Sequence, residues 1–167
     1  MHRQPLSVDC DDLPQALTEP GATFTTLRSA DQLRGCCGTL EPARAVGQDV
    51  TETAFRAAFK DPRFEPVAEN ELDVISLDVS VLSPTEPISF ADEADLLRQL
   101  RPGEDGLVIV AEGRRATLLP TVWKMLPEPR RFLVALKAKL GLAHDYWSER
   151  IEFMRYSTTS FTESNSD

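Results

Sequence analysis

The chain has 167 residues, 41% of them hydrophobic and 27% charged, which suffices for one full core and is ordinary for a globular protein. Its net charge of −9 argues against general nucleic-acid binding, which needs a dominant basic footprint. No apolar run reaches membrane-span length, Met1 to Pro20 lacks the order of a signal peptide, and three cysteines, two adjacent, make no disulfide framework. Reduced thiols in the cytoplasm are the reading that follows.

In chain order, residues 1–20, with Asp9, Asp11, Asp12, Pro14 and Pro20, read as an irregular lead-in. Ala22 to Arg28 reads as a strand, Ser29 to Gln32 as a turn, and Leu33 to Thr39 as the partner strand. Val50, Ala54, Phe55, Ala58 and Phe59 recur at helical spacing, predicting an amphipathic helix over 45–60 that Pro62 ends. Ile75, Leu77, Val79 and Val81 alternate with Ser76, Asp78 and Ser80, the pattern of a strand with one buried and one polar face.

Asp92 is placed to cap a short helix that turns Leu96, Leu97 and Leu100 inward. Residues 107–111 and 115–119 flank Glu112-Gly113 and read as a hairpin. Phe132, Leu133, Leu136 and Leu140 define a further helix, stopped by Gly141, and Trp123 and Trp147 flank it as core anchors. Residues 151–156 are a last short strand, and the polar residues 158–167 read as a tail, disordered at 162–167. Hairpins mixed with helices, without strict alternation, predict an α+β fold with a largely antiparallel sheet flanked by helices.

Charge is uneven along the chain. Residues 61–106 hold twelve acids against Arg63, Arg98 and Arg101, whereas residues 114–139 hold seven bases against Glu128 alone. The basic stretch is either a face for an acidic partner or anionic ligand, or a solvated helix face.

The densest stretch chemically is Leu33-Arg34-Gly35-Cys36-Cys37-Gly38-Thr39, with two thiols and an arginine framed by glycines that weaken a strand unless backbone approaches closely. Alternation places Arg34, Cys36 and Gly38 on one face and Cys37 and Thr39 on the other. A guanidinium beside Cys36 favours its thiolate, and a missing side chain at Gly38 leaves room over the sulfur. The competing reading makes Cys36 a small buried hydrophobe, since no histidine is a partner: His2 lies in the lead-in and His144 in a loop. Arg34, Gly35, Cys37, Gly38, Thr39, Arg63, Ser80 and Ser83 are candidates to line a site for a small anionic ligand. Alternatively Arg63 pairs with Asp61 or Glu65 and closes the helix end, and the serines terminate the strand. Gly35-Cys36-Cys37-Gly38 fits the nucleotide-clamping Gly-x-x-Gly pattern, but it lies in a strand without basic residues at its centre. Adjacent cysteines and two histidines supply no metal set, and no nucleotide or dinucleotide fingerprint occurs, so no metal or cofactor is expected.

The same stretch resembles the Leu-Arg-Gly-Cys-Ile-Gly-Thr signature of AMMECR-type proteins, called AmmeMemoRadiSam system protein A in bacteria and archaea. Asp61-Pro62-Arg63-Phe64, Val79-Ser80-Val81-Leu82-Ser83-Pro84, Gly106-Leu107 and Leu118-Leu119-Pro120 resemble further motifs of that family, in order, over residues 21–161. Two departures stand out: Cys37 replaces the family's isoleucine, and the helix that usually precedes the first strand is not recognisable in the lead-in. The resemblance implies one α+β domain with a larger and a smaller lobe. It further implies a binding component whose partner is a Memo-type or radical SAM protein; a regulatory nucleic-acid factor is a third class that the acidic charge makes the weakest, so no nucleic acid and, for want of an apolar span, no membrane is expected as partner. The alternative is a small-molecule enzyme with Cys36 as nucleophile and Arg34 holding an anionic substrate.

Overall fold

The computed structural model describes residues 4–9, 11 and 13–163, and the chain divides into two compact units, Met1–Leu82 with Thr159–Asp167 and Ser83–Thr158. Both are α+β, and each is described by itself.

In the first unit, β1 (Pro20–Ser29) pairs antiparallel with β2 (Gln32–Gly38), with β4 (Ile75–Leu82), and at its start with the two-residue β3 (Arg44–Ala45). The sheet order is β2-β1-β4-β9, so β2 and β9 (Thr158–Thr162) form its edges. The β1–β2 turn is tight: Ala30 and Asp31 both take positive φ, 48° and 64°, the mirror-image turn whose twist suits a hairpin. Past the turn the register shifts. Arg28 faces Leu33 but Leu27 faces Gly35, which leaves Arg34 as an extra, bulged residue.

Helix α2 (Val46–Phe59) covers one face of this sheet, and hydroxyls hold it there. The buried Asp49 carboxylate accepts the Thr23 backbone N–H (2.9 Å), the Thr23 hydroxyl (2.7 Å) and the Thr39 hydroxyl (3.0 Å). Thr53, one turn on, hydrogen-bonds the hydroxyls of Thr23 and Thr25 at 3.1 and 2.9 Å. The apolar share is small: Leu27, Ala57 and Val67 are buried together. Gly35 lets the strand reach the helix, because a Cβ there would run into the Ala57 carbonyl oxygen.

The second unit is built on hydrocarbon. Its sheet runs β5-β8-β6-β7, with β6 (Gly106–Ala111) between β8 (Glu152–Tyr156) and β7 (Arg114–Leu118), and β5 (Glu86–Pro87) beside β8. Helices α3 (Glu93–Gln99) and α4 (Pro129–Lys139) help to bury Leu96, Leu107, Ile109, Phe132, Leu136 and Phe153. Asp92 caps α3 by accepting the Asp95 N–H at 2.7 Å, and Gly141, at φ 77°, follows the end of α4. The Trp123 ring stacks on Phe132 at 3.8 Å and its indole N–H donates to the Asp105 carbonyl. The few buried charges are paired: Lys137 donates to Glu93 at 2.6 Å and Arg101 to Asp105 at 2.6 Å.

The main strands and helices read from the sequence are present, within about two residues at their ends. Four details differ. Gln15–Thr18 in the lead-in form a short helix, α1. Residues 158–162, read as the start of a polar tail, form the edge strand β9, whose Ser160 and Thr162 hydroxyls bond Ser80 and Asp78 at 2.9 and 2.6 Å. Strand β4 is half-buried along most of its length rather than sharply two-faced. Ser83 falls in the second unit and Ser80 in the first. Residues 1–3, which include His2, and Cys10, Asp12 and the tail residues 164–167 lie outside the described residues.

Candidate functional site

Strand β2 is an edge, so its outward N–H groups need partners from elsewhere. Asp61, just past α2, supplies one: its Oδ2 accepts the Cys36 N–H at 2.9 Å. The same carboxylate receives Arg63 in a two-pronged contact, Nε to Oδ1 at 2.9 Å and Nη2 to Oδ2 at 2.7 Å, and also accepts the Arg63 backbone N–H. Asp61 is thus a hub between the motif strand and an arginine whose own side chain is 55% exposed. The Arg63 hydrogen bonds, reinforced by the Cys36 and Arg63 backbone N–H groups, hold the Asp61 carboxyl well below the usual carboxylate range.

Arg34 is engaged differently from the alternation-based expectation. As the bulged residue it leaves the regular two-residue repeat and forks onto Glu71, Nε to Oε1 at 2.7 Å and Nη2 to Oε2 at 2.9 Å. Glu71 sits in a 3-10 turn (Glu69–Glu71) and also accepts the Ala68 N–H at 2.8 Å. The Arg34 hydrogen bonds lower its pKa to about 2. The remaining Arg34 nitrogen, Nη1, is buried and has no hydrogen-bond partner among the described residues; the Phe64 ring centroid lies 6.0 Å from Arg34 Cζ. Arg63 approaches the same ring, at 5.5 Å. Arg63 is linked to Cys36 through Asp61, whose carboxylate takes both the Cys36 N–H and the Arg63 guanidinium.

The sheet face away from α2 carries two cross-strand rows. Cys36 faces Thr26, which faces Asp78; Gly38 faces Phe24, which faces Ser80. The Thr26 hydroxyl donates to Cys36 Sγ at 3.5 Å, and Cys36 is half-exposed. Asp78 takes Arg28 Nε at 3.1 Å. Gly38 accommodates the Phe24 ring, which a Cβ would strike. On the opposite face Cys37 packs against Leu27, Ala57 and Val67, and burial pushes its thiol pKa up. Thr39 is bonded to Asp49 on that side.

The candidate residues therefore divide. Cys36, Gly38 and Ser80 share the sheet face away from α2, and Arg63 reaches the strand edge through Asp61. Gly35, Cys37 and Thr39 belong to the seam with α2. Arg34 belongs to the Glu71 bridge, and Ser83 is bonded within its own unit, accepting the Ser157 N–H at 3.0 Å. Sequence reasoning passed over Thr26, Asp49 and Glu71, and it named Asp61 and Phe64 only within the Asp61-Pro62-Arg63-Phe64 motif, with Asp61 as a possible mate for Arg63. The hairpin register carries the signal for Thr26, but only once the bulge is known. In the stretch of bases in residues 114–139, Lys137 is buried on Glu93 and Lys139 donates to the Thr117 carbonyl, while Arg114 and Arg131 form surface pairs with Glu112 and Glu128. Among the described residues no group of His, Cys, Asp and Glu could hold a metal ion, and no helix is long and apolar enough to cross a membrane.

Comparison with known proteins agrees with this fold. The AMMECR1 family model matches residues 1–161. A protein of Methanothermobacter thermautotrophicus is 36% identical over 157 residues, covering 92% of this chain and 81% of that protein. One from Methanocaldococcus jannaschii is 34% identical over 161 residues, covering 92% and 78%. The crystal structure of an uncharacterised protein from Pyrococcus horikoshii superposes with a TM-score of 0.86 at 31% identity, over 92% of this chain and 78% of that one. The chain belongs to the AMMECR1 family.

Proposed function

We propose that the protein is a cytoplasmic binding component, with the edge strand β2 and its Asp61–Arg63 clamp as the recognition element. The observation that carries this reading is the chemistry around Cys36. Its N–H is tied to a carboxylate that Arg63 already neutralises, while its sulfur meets a threonine hydroxyl and, among the described residues, no base. A thiol nucleophile needs a group to take its proton, and neither Thr26 nor an ion-paired aspartate does so. The arrangement instead fixes a strand edge and presents a half-exposed guanidinium suited to an anionic group on a ligand or partner. Free adjacent thiols, Cys36 and Cys37, accord with a reducing compartment.

The partner we propose is a Memo-type or radical SAM protein from the same genome. Mixing purified proteins and following the complex by calorimetry tests it. Cys36→Ala should bind as the parent does, and Asp61→Asn, which releases both the strand edge and Arg63, should weaken binding about tenfold or more. No complex with either class of protein overturns the reading.

A second reading, in which Cys36 is the nucleophile of a small-molecule enzyme, draws on the direction of the Thr26 hydrogen bond: a hydroxyl that donates to the sulfur takes no proton but stabilises a thiolate once formed. Iodoacetamide labelling of Cys36 across a pH series separates the two. A labelling rate that follows an ordinary thiol supports binding; a rate already at its plateau near neutral pH supports the nucleophile.

A further inference from the structure

The Arg34–Glu71 bridge does more than satisfy two charges. It fastens the loop after Glu69 to the start of β2, and each side contributes apolar residues left in solvent: Leu33 (40% exposed), Leu72 (57%) and Val74 (62%). Register places them at one end of the sheet. Leu33 and Ser76 flank Arg28 on either side, Val74 leads directly into β4, and Leu72 follows the glutamate bonded to the residue after Leu33. Single exposed apolar residues are ordinary; here the Arg34–Glu71 bridge brings the segments that carry three of them to the same end of the sheet.

The surrounding charge is of one sign. Arg28 is engaged by Asp78 and Arg34 by Glu71, whereas Asp31 at the hairpin turn and Glu69 and Asp73 in the loop are exposed and make no ion pair among the described residues. A second copy of this chain would bring the same acids against these and be repelled. From the apolar centre and acidic rim we infer that this end of the first unit is a docking surface for another protein's basic segment, one with an apolar face of Leu-like side chains flanked by Lys or Arg. The inference rests on the binding reading and adds to the anionic contact at Arg63 a second contact, whose location and partner chemistry it gives. Encounter is steered by the acids and therefore weakens with salt, while residence depends on Leu33, Leu72 and Val74.

The test uses the full chain and a defined probe, a synthetic amphipathic helix of Leu and Lys, beside a control with every Lys replaced by Glu. Backbone amide NMR shifts and titrated affinity are read together. The Leu/Lys helix should shift amides of residues 31–34 and 69–76, and its affinity should fall severalfold from about 50 to about 300 mM salt. The Leu/Glu helix should not bind. Leu72→Ser with Val74→Ser, both at exposed positions, should leave thermal unfolding unchanged and weaken the Leu/Lys helix about tenfold, with all charges kept. Unchanged affinity in that variant overturns the inference by showing charge attraction alone. So do shifts scattered over other acids or centred on the α4 groove of Leu126, Arg130 and Arg131, and so does self-association that the double variant abolishes. Docking can fail here while the Memo-type or radical SAM complex still forms. In that case only the location falls; absence of that complex removes the binding reading itself.

Discussion

The two units solve the same problem, a helix on an antiparallel sheet, with different materials. In the second, hydrocarbon fills the seam: Phe132, Leu133 and Leu136 of α4 lie in one core with Leu107 and Ile109 of β6. In the first, α2 meets β1 through Asp49, Thr53, Thr23 and Thr25, with Leu27, Ala57 and Val67 buried to one side and Val46 over Gly21 at the helix start. Apolar burial is non-directional and tolerates sliding, whereas a carboxylate accepting three hydrogen bonds fixes one position. The unit that carries the motif is the one with directional fastening, and Thr39 of the motif is itself one of the donors to Asp49.

The comparison can be broken most severely from the apolar side. Phe132→Ala removes a fully buried ring stacked on Trp123 and should cost about 3–5 kcal/mol. Both tryptophans lie in the second unit, so their fluorescence follows its unfolding, and amide exchange at residues 23–27 follows the first. Early loss of the tryptophan signal with protected amides at 23–27 would show that the units stand separately. Next in size is Gly35→Ala. Its Cβ meets backbone, the Ala57 carbonyl, which cannot swing aside, and a cost of about 1–3 kcal/mol should appear as faster exchange in β1 and α2. Gly38→Ala meets only the half-exposed Phe24 ring and should cost less.

Those two glycines show how far the sequence could be read. Their presence in a strand pointed to close approach, and the structure supplies the neighbours, a helix backbone and a ring. The alternation that put Arg34 beside Cys36 failed for a local reason. A two-residue turn at Ala30 and Asp31 with no bulge would pair Thr26 with Gly35; the extra residue shifts the pairing so that Thr26 meets Cys36 and Arg34 leaves the repeat. Strand periodicity carries no signal for such an insertion, and Glu71 is too far along the chain for local pattern to find it. Strand β9 was hidden for another reason. Its Thr-Thr-Ser-Phe-Thr composition looks like a tail because an edge strand needs no apolar face, and its hydroxyls are there to bond Ser80 and Asp78.

Shifted carboxyls in the first unit and a shifted phenol in the second give each a pH slope that can be removed by substitution. Asp61 and Glu71 titrate lower in the folded chain than their ordinary 3.8 and 4.5, Glu71 at about 2. A carboxyl of that kind stabilises the fold above its ordinary pKa, and the contribution fades as pH falls toward the folded value. The first unit should therefore weaken from about pH 5 downward, and Asp61→Asn with Glu71→Gln should flatten that slope. Tyr156 runs the other way. Burial raises its phenol from 10.0 to about 12, so its contribution is whole below pH 10 and is lost as pH climbs toward 12. Tyr156→Phe should flatten this alkaline slope in the tryptophan signal and cost about 1 kcal/mol at neutral pH, through the lost bonds to Thr117 and Leu118.

The smallest change sharpens the comparison by moving one unit toward the other. Cys37 is half-buried against Leu27, Ala57 and Val67. Cys37→Ile adds methyl groups to this small apolar cluster, on a strand that suits β-branched residues. Each fully buried CH₂ is worth about 0.8 kcal/mol; partial exposure reduces that and crowding against Ala57 offsets more, which leaves a gain below about 1 kcal/mol. Exchange at Thr25 and Leu27 should slow while the tryptophan unfolding midpoint stays where it was. If the midpoint rises by the same amount, the two units melt as one, and their different fastening has no bearing on how either comes apart.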